Sequence, residues 1–240
     1  MLTSIVIPCK DEADNLGLLL DEIAEAMAEM SFEVIVVDDG SADATHTVLA
    51  QKRAGGYPVR HIRHAVSTGQ SMAIRSGLLA SRGEIVATLD GDGQNDPRYI
   101  PALVSALMQA DPSVGMVIGQ RLRRQDTRGK KTASRLANWV RVTVLGDHTR
   151  DTGCGLKAVR ADLFRRLPFF NGSHRFLPAL MLQEGFGVLN IDVVDRPRRH
   201  GVSHYGIFDR GMRATVDLFG VWWLKQRRSR TPQVSEITDG

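Results

Sequence analysis

Glu84-Ile85-Val86-Ala87-Thr88-Leu89-Asp90-Gly91-Asp92-Gly93-Gln94 decides how the rest of the chain is read. Its first half is a short apolar run, expected of a strand covered on both faces. Its second half turns abruptly to carboxylates and glycines, so the strand ends at a polar rim. The same grammar recurs on both sides. Residues 4–8, 33–37, 59–63 and 114–118 read as strands, and residues 11–30, 41–53, 69–81 and 97–109 as helices. In the first helix Leu16, Leu19, Leu20, Ile23 and Met27 fall on one face, with Asp11 or Asp14 placed to cap its start, and Ser41 is placed to cap the second. Strands alternating with helices predict an α/β fold with a mainly parallel central sheet and helices on both faces.

In such a sheet, ligands bind beyond the carboxyl ends of the strands. Four strand ends are polar: Pro8-Cys9-Lys10-Asp11-Glu12, Asp38-Asp39-Gly40-Ser41, Asp90-Gly91-Asp92-Gly93-Gln94 and Gly119-Gln120-Arg121. Two carboxylates at positions i and i+2 offer hard oxygen to Mg²⁺ or Mn²⁺, which keep coordination places open for substrate phosphates. Gln94 adds a carbonyl oxygen. Asp39 is the expected ligand contact of its pair, with Asp38 structural. Arg121 presents a planar fork suited to phosphate, and Lys130, Lys131 and Arg135 are candidates for a second phosphate. The run from Arg198 to Gly206 brackets hydrogen-bond donors between two glycines and is a candidate diphosphate cradle.

The second half is less regular. Residues 121–131 read as a basic loop, 131–145 as helix, 160–167 and 174–185 as shorter helices, and 188–194 as a late strand. Residues 207–228 form an amphipathic helix carrying Trp222 and Trp223, and the polar tail 229–240 is expected to be disordered. The expected organisation is a catalytic domain at 1–206, then this helix, then the tail. The chain has 240 residues, a formal net charge of +4 and an apolar fraction of 42%, values that fit a globular domain with phosphate-rich or anionic partners. Its two cysteines, Cys9 and Cys154, form no metal-binding spacing and read as reduced structural thiols. No signal peptide is expected, and no apolar run approaches the roughly 20 residues that span a bilayer. The four aspartates at the rim argue against nucleic acid as a partner.

Taken in order, these residues resemble family 2 glycosyltransferases of the GT-A fold, most closely the dolichol-phosphate mannose synthase-like branch. The resemblance runs from about Ser4 to Tyr205. It is carried by Ile5-Val6-Ile7-Pro8 with Asp11-Glu12, by Val36-Val37-Asp38-Asp39-Gly40-Ser41, by Asp90, Asp92 and Gln94 followed by Asn95-Asp96-Pro97, by Gly119 and Arg121, by Asp151 to Lys157, and by Arg198, Gly201 and Ser203. Asp11 stands where asparagine is common, and the transmembrane helices of many relatives are absent from this sequence.

The resemblance implies an inverting transfer of a sugar from GDP-mannose or a UDP-hexose to a polyprenyl phosphate at the cytoplasmic face of a membrane. It implies that Pro8, Lys10, Glu12, Val37 and Asp39 line the base and ribose pocket, and that Asp90 and Gly91 touch ribose and phosphate. Asp92 and Gln94 would hold Mg²⁺ or Mn²⁺. Arg121 and Arg198 would bind donor or acceptor phosphates, with Lys130, Ser134 and His204 nearby. The expected partners are the nucleotide sugar, the lipid phosphate and a membrane surface, with a separate membrane protein as a possible aid to docking. Asp151 is a candidate base for the rival case of a sugar-hydroxyl acceptor on a polysaccharide; a non-catalytic nucleotide-sugar binder is the other rival.

Overall fold

A computed structural model describes residues 1–122, 140–147, 149, 151–197 and 207–227, with the side chains of 207–214 excepted. Among these, seven strands make one sheet: β1 (Thr3–Cys9), β2 (Phe32–Asp38), β3 (Val59–Arg63), β4 (Ile85–Thr88), β5 (Val114–Arg121), β6 (Lys157–Arg160) and β7 (Gly187–Val193). Their spatial order is β3-β2-β1-β4-β6-β5-β7. All pairs are parallel except those of β6, which runs antiparallel to both β4 and β5. The sheet is therefore mainly parallel, as the sequence predicts. The inserted antiparallel strand was not predicted, because Lys-Ala-Val-Arg is too short and too polar at its ends to read as a strand.

The helices are α1 (Ala13–Ala26), α2 (Thr45–Ala54), α3 (Gln70–Ala80), α4 (Ile100–Gln109), α5 (Ala161–Arg166), α6 (Leu177–Gln183) and α7 (Ile207–Gln226). Residues 140–145 are also helical. Alternation along β1 sends Ile5 and Ile7 into one core with Leu16, Leu19, Leu20 and Ile23 of α1, Leu49 of α2 and Leu103 and Leu107 of α4. Val6 faces the other core with Ala73, Ile74 and Leu78 of α3, Phe164 of α5, Leu177 and Leu180 of α6 and Val221 of α7. Helices thus cover both faces, which is why the central strands are apolar throughout.

Two expected helix caps are corrected. The residue preceding α1 is Glu12, with no side-chain cap of its own. Asp43 reaches across to accept from the Ala13 amide at 3.0 Å, while Asp11 sits at φ 54 and accepts from the Ala42 amide at 2.7 Å. Ser41 does not cap α2, which begins after Ala44; its hydroxyl accepts from the Asp11 amide at 2.9 Å. These residues tie the β1 end to the β2 end, so tertiary partners displaced the local capping pattern. The basic loop expected at 121–131 and the tail at 229–240 fall almost wholly outside the described residues.

Candidate active site

The sheet order reverses direction between β1 and β4, the first two strands on either side of the switch point. A crevice opens there beyond their carboxyl ends. It holds a cavity of about 330 Å³ lined by Pro8, Gln70, Asp90, Arg121, Lys157 and Arg175 among others. Asp90 follows β4 directly. Its backbone amide donates to Asn95 Oδ1 at 3.0 Å, which folds the turn back on itself. Gln70, the first residue of α3, donates from Nε2 to Asp90 Oδ1 at 2.7 Å. Gly91 lies against β1: a Cβ there would come within 2.9 Å of Cys9 Cβ. A Cβ on Gly155 would sit 2.6 Å from Asp90 Oδ2, so the start of β6 approaches the carboxylate where a glycine leaves room.

Solvent still reaches part of Asp90, but the protein crowds it closely. Burial first, then repulsion from the Asp92 carboxylate, push its pKa up to about 6. Asp92 accepts from the Gln94 amide at 3.1 Å. Gln94 in turn accepts, at its carbonyl, from the Arg196 amide at 2.8 Å. Arg196 is anchored by Glu22 at 2.6 Å and Asp96 at 2.7 Å. The chain after β7 is thereby brought to the same rim as the two aspartates, immediately before Arg198. Arg198, His204, Lys130 and Ser134 themselves lie outside the described residues.

Arg121 ends β5 and lines the cavity, but its fork is engaged. It donates from Nη2 to Asp151 at 2.8 Å, from Nε to the other oxygen of Asp151, and from Nη1 to Asp195 at 3.1 Å. Burial opposes its charge, yet these carboxylates outweigh burial and hold it firmly protonated. Asp151, the candidate base, thus has both oxygens on Arg121. Asp39 is also fully engaged. His64, the Thr68 amide and the Thr68 hydroxyl meet Oδ1 at 2.7, 2.8 and 3.0 Å. The Ser67 hydroxyl and the Gly69 amide meet Oδ2 at 2.7 and 2.8 Å. Burial pulls its pKa upward, but these hydrogen bonds prevail and hold the carboxyl well below its usual range. Asp39 therefore fixes the turn that launches α3 and places Gln70.

Pro8 is in the cavity wall, Lys10 is exposed and Glu12 half-buried near the β1 end. Val37 has a wholly buried side chain that packs against α3 beneath Gly77, because inward alternation on β2 carries it into the core. Gln70, Lys157, His174, Arg175 and Asp195 were not singled out by the sequence reading. Asp195 carried a usable signal, an acid just after a late strand. Lys157 carried one as the last residue of the Asp151–Lys157 motif, although its strand was not predicted. Cys9 and Cys154 are buried free thiols; burial raises both pKa values, Cys154 to about 11, which leaves them inert.

Among the described residues no three His, Cys, Asp or Glu side chains converge as a metal cluster. What the β4 end holds is hard oxygen: the neighbouring carboxylates of Asp90 and Asp92, with Gln94 in the same turn. Two carboxylates close enough to raise one pKa are a place where a divalent cation relieves repulsion. The set fits Mg²⁺ or Mn²⁺ completed by water and substrate phosphates, rather than a metal fully caged by protein.

Solved structures share this architecture. Mannosyl-3-phosphoglycerate synthase from Rubrobacter xylanophilus superposes with a TM-score of 0.73 at 20% identity, over 98% of this chain and 77% of that one. Glucosyl-3-phosphoglycerate synthase from Mycobacterium tuberculosis, in complex with Mn²⁺, UDP-glucose and phosphoglyceric acid, superposes with a TM-score of 0.66 at 20% identity, over 93% of this chain and 79% of that one. In sequence, the chain is 35% identical over 234 residues to a dodecaprenyl-phosphate galacturonate synthase of Rhizobium johnstonii, covering 95% of this chain and 68% of the relative. It is 34% identical over 209 residues to an undecaprenyl-phosphate 4-deoxy-4-formamido-L-arabinose transferase of Aeromonas hydrophila, covering 86% of this chain and 63% of the relative. The chain thus spans about two thirds of the length of these relatives. The family model for glycosyl transferase family 2 matches residues 4–170, the span that carries the switch-point crevice and both rim aspartates, and the chain belongs to that family.

Proposed function

We propose that this chain transfers a sugar from a nucleoside-diphosphate sugar to a polyprenyl phosphate, with inversion and with the help of a divalent cation, at the cytoplasmic membrane face. The observation that carries the reading is the juxtaposition at the β4 end. Asp90 lines a cavity whose wall also holds Arg121, Lys157 and Arg175, and Asp92 and Gln94 follow it in the same turn. Relatives named for polyprenyl-phosphate acceptors support the lipid. GDP-mannose and UDP-hexoses are the donors in view; the names of the relatives above favour a sugar other than mannose.

When bound at Asp92 and Gln94, Mg²⁺ or Mn²⁺ supplies positive charge to the departing nucleoside diphosphate. Asp90 and Gly91 take the ribose side of the donor, beside Pro8. Gln70 holds Asp90 in place, and Asp39 holds the turn from which Gln70 projects. Lys10 and Glu12 stand at the outer edge of the nucleotide crevice. Arg121, its charge balanced by Asp151 and Asp195, holds those two carboxylates in place and keeps the cavity wall rigid. Arg198, His204, Lys130 and Ser134 are assigned to the donor and acceptor phosphates on the family pattern. A lipid monophosphate is ionised at neutral pH, so the attack needs positioning more than a general base. The engagement of Asp151 with Arg121 agrees with a reaction that does not call on it as a base.

The helix α7 is assigned two faces. One packs on the domain: Val221 is buried, Gln183 donates to the Leu224 carbonyl at 3.0 Å and Lys225 to the Leu145 carbonyl at 2.8 Å. The other carries Val216, Phe219 and Trp223, all exposed, one above another at helical spacing. This outward stripe is assigned to the lipid interface, where aromatic side chains are favoured. Among the described residues no helix is long and apolar enough to cross a membrane.

The reading is tested by incubating the purified chain with a radiolabelled nucleotide sugar, Mn²⁺ and undecaprenyl phosphate. Label extracted into organic solvent, and lost with EDTA, is the expected result. Label in a water-soluble glycan would replace the lipid acceptor with a sugar hydroxyl. Tight donor binding with no transfer would make the chain a nucleotide-sugar binder.

A further inference from the structure

The turn that carries the candidate metal ligands is held from the far edge of the sheet. Among the described residues β7 is an edge strand, and β6 and β5 lie between it and β4. Beyond β7 the chain crosses the end of β5. There Leu122 donates its amide to the Val193 carbonyl at 3.1 Å, and Arg121 donates to Asp195 at 3.1 Å. The chain then meets the turn after β4. Asn95 donates from Nδ2 to the other oxygen of Asp195 at 3.4 Å, and the Arg196 amide donates to the Gln94 carbonyl at 2.8 Å. The Arg196 guanidinium divides between Asp96 at 2.7 Å and Glu22 of α1 at 2.6 Å. Asp195 and Arg196 thus grip Gln94, Asn95 and Asp96 in succession.

Asn95 carries that grip to the carboxylates. It is 2% exposed, and its Oδ1 accepts from the Asp90 amide at 3.0 Å, so the amide side chain is fixed at both ends. Gly155 closes in from the other side, where an added Cβ would collide with Asn95 Oδ1. The turn needs such support. The Asp90 and Asp92 carboxylates repel one another, and with no cation between them that repulsion favours a turn opened wider than a cation requires. A turn held closed beforehand spares the binding step that rearrangement. We infer that Asp195 and Arg196 form a positioning strap for the metal turn, with Arg196 as its main fastening, and that this strap sets the affinity for the divalent cation. Both residues act through Gln94, Asn95 and Asp96, from a place in the sequence a hundred residues away. This rests on the metal-dependent reading above and adds the residues that tune it.

The test is Mn²⁺ binding to the full chain, read from loss of the free-ion EPR signal. It is run with Mn²⁺ alone and with UDP or GDP, against the same nucleotide without protein. Each variant is measured well below its own Tm, so that a merely structural role does not register. Arg196→Met should weaken Mn²⁺ binding about tenfold or more, the loss expected when an outer support of a metal site is removed. Arg196→Lys keeps a cation between Asp96 and Glu22 and should recover part of it. Asp96 retains Arg98 as a partner at 2.6 Å, so Arg196→Met leaves no stranded buried carboxylate and should fold. Glu22→Gln loosens only the outer fastening; it should give a smaller loss and serves if Arg196→Met does not fold. In transfer assays the Mn²⁺ concentration giving half-maximal rate should rise with the binding constant, and saturating Mn²⁺ should regain most of the rate. Unchanged Mn²⁺ affinity in Arg196→Met would overturn the inference and leave the transferase reading intact. So would a fall in maximal rate with no change in Mn²⁺ affinity, since the strap would then act on something other than the metal turn. No Mn²⁺ binding by the wild type, with or without nucleotide, would overturn the metal-dependent reading and this inference together.

Discussion

Asp39 shows how a residue legible as functional acts through others. Both its oxygens are filled by donors from residues 64–69, and its folded pKa lies below the unfolded value near 4. A depressed carboxylate stabilises the fold above its unfolded pKa, and the stabilisation fades as pH falls toward the folded value. Asp39→Ala should therefore cost about 2 kcal/mol at pH 7 and lower Tm by about 4–8 °C. The gap to wild type should narrow as unfolding is repeated from pH 6 down to pH 3; a gap that widened would contradict the assignment. Asp92 is the contrasting case. It is half-buried and carries little of the fold, so Asp92→Asn should leave Tm nearly unchanged. Metal-stimulated transfer should drop about a hundredfold or more, read as labelled lipid per minute across a Mn²⁺ titration. Normal turnover would remove the metal from the mechanism.

At the scale of elements, the approach of α3 to the sheet sets the depth of the site. A Cβ on Gly77 would collide with Val6 and lie 3.2 Å from Val37 Cγ2. Both valines are fully buried and β-branched, so they yield little. Gly77→Ala should destabilise by about 1–3 kcal/mol, seen as a lower urea midpoint with an unchanged m-value. Since α3 begins at Gln70 beside Asp90, the same substitution should raise KM for the donor. The short β6 illustrates what periodicity cannot reach. Its four residues make a strand because β4 and β5 offer unpaired edges on either side of them, and no local pattern announces that.

At the scale of the molecule, donor cleft and α7 belong to one body, joined through the core that contains both Ile74 and Val221. The outward stripe of Val216, Phe219 and Trp223 places aromatic surface on the same domain that holds the reaction. Phe219→Ser with Trp223→Ser should reduce co-sedimentation with vesicles containing anionic lipid by several-fold. Transfer to a short water-soluble prenyl phosphate should be retained. Undiminished vesicle binding would assign the stripe to another partner.

The sequence by itself determined the α/β class, five of the seven strands in outline, the late strand, the family and the pair of aspartates at the β4 end. Those features are local: apolar runs, helical spacing and a carboxylate cluster are written in neighbouring residues. Tertiary structure alone decided that Val37 is core, that Asp39 and Arg121 are saturated by protein partners, and that Lys157 stands at the cavity floor. Each of those outcomes depends on groups tens of residues distant, brought together by strand order and helix packing, and contiguous sequence carries no record of that proximity.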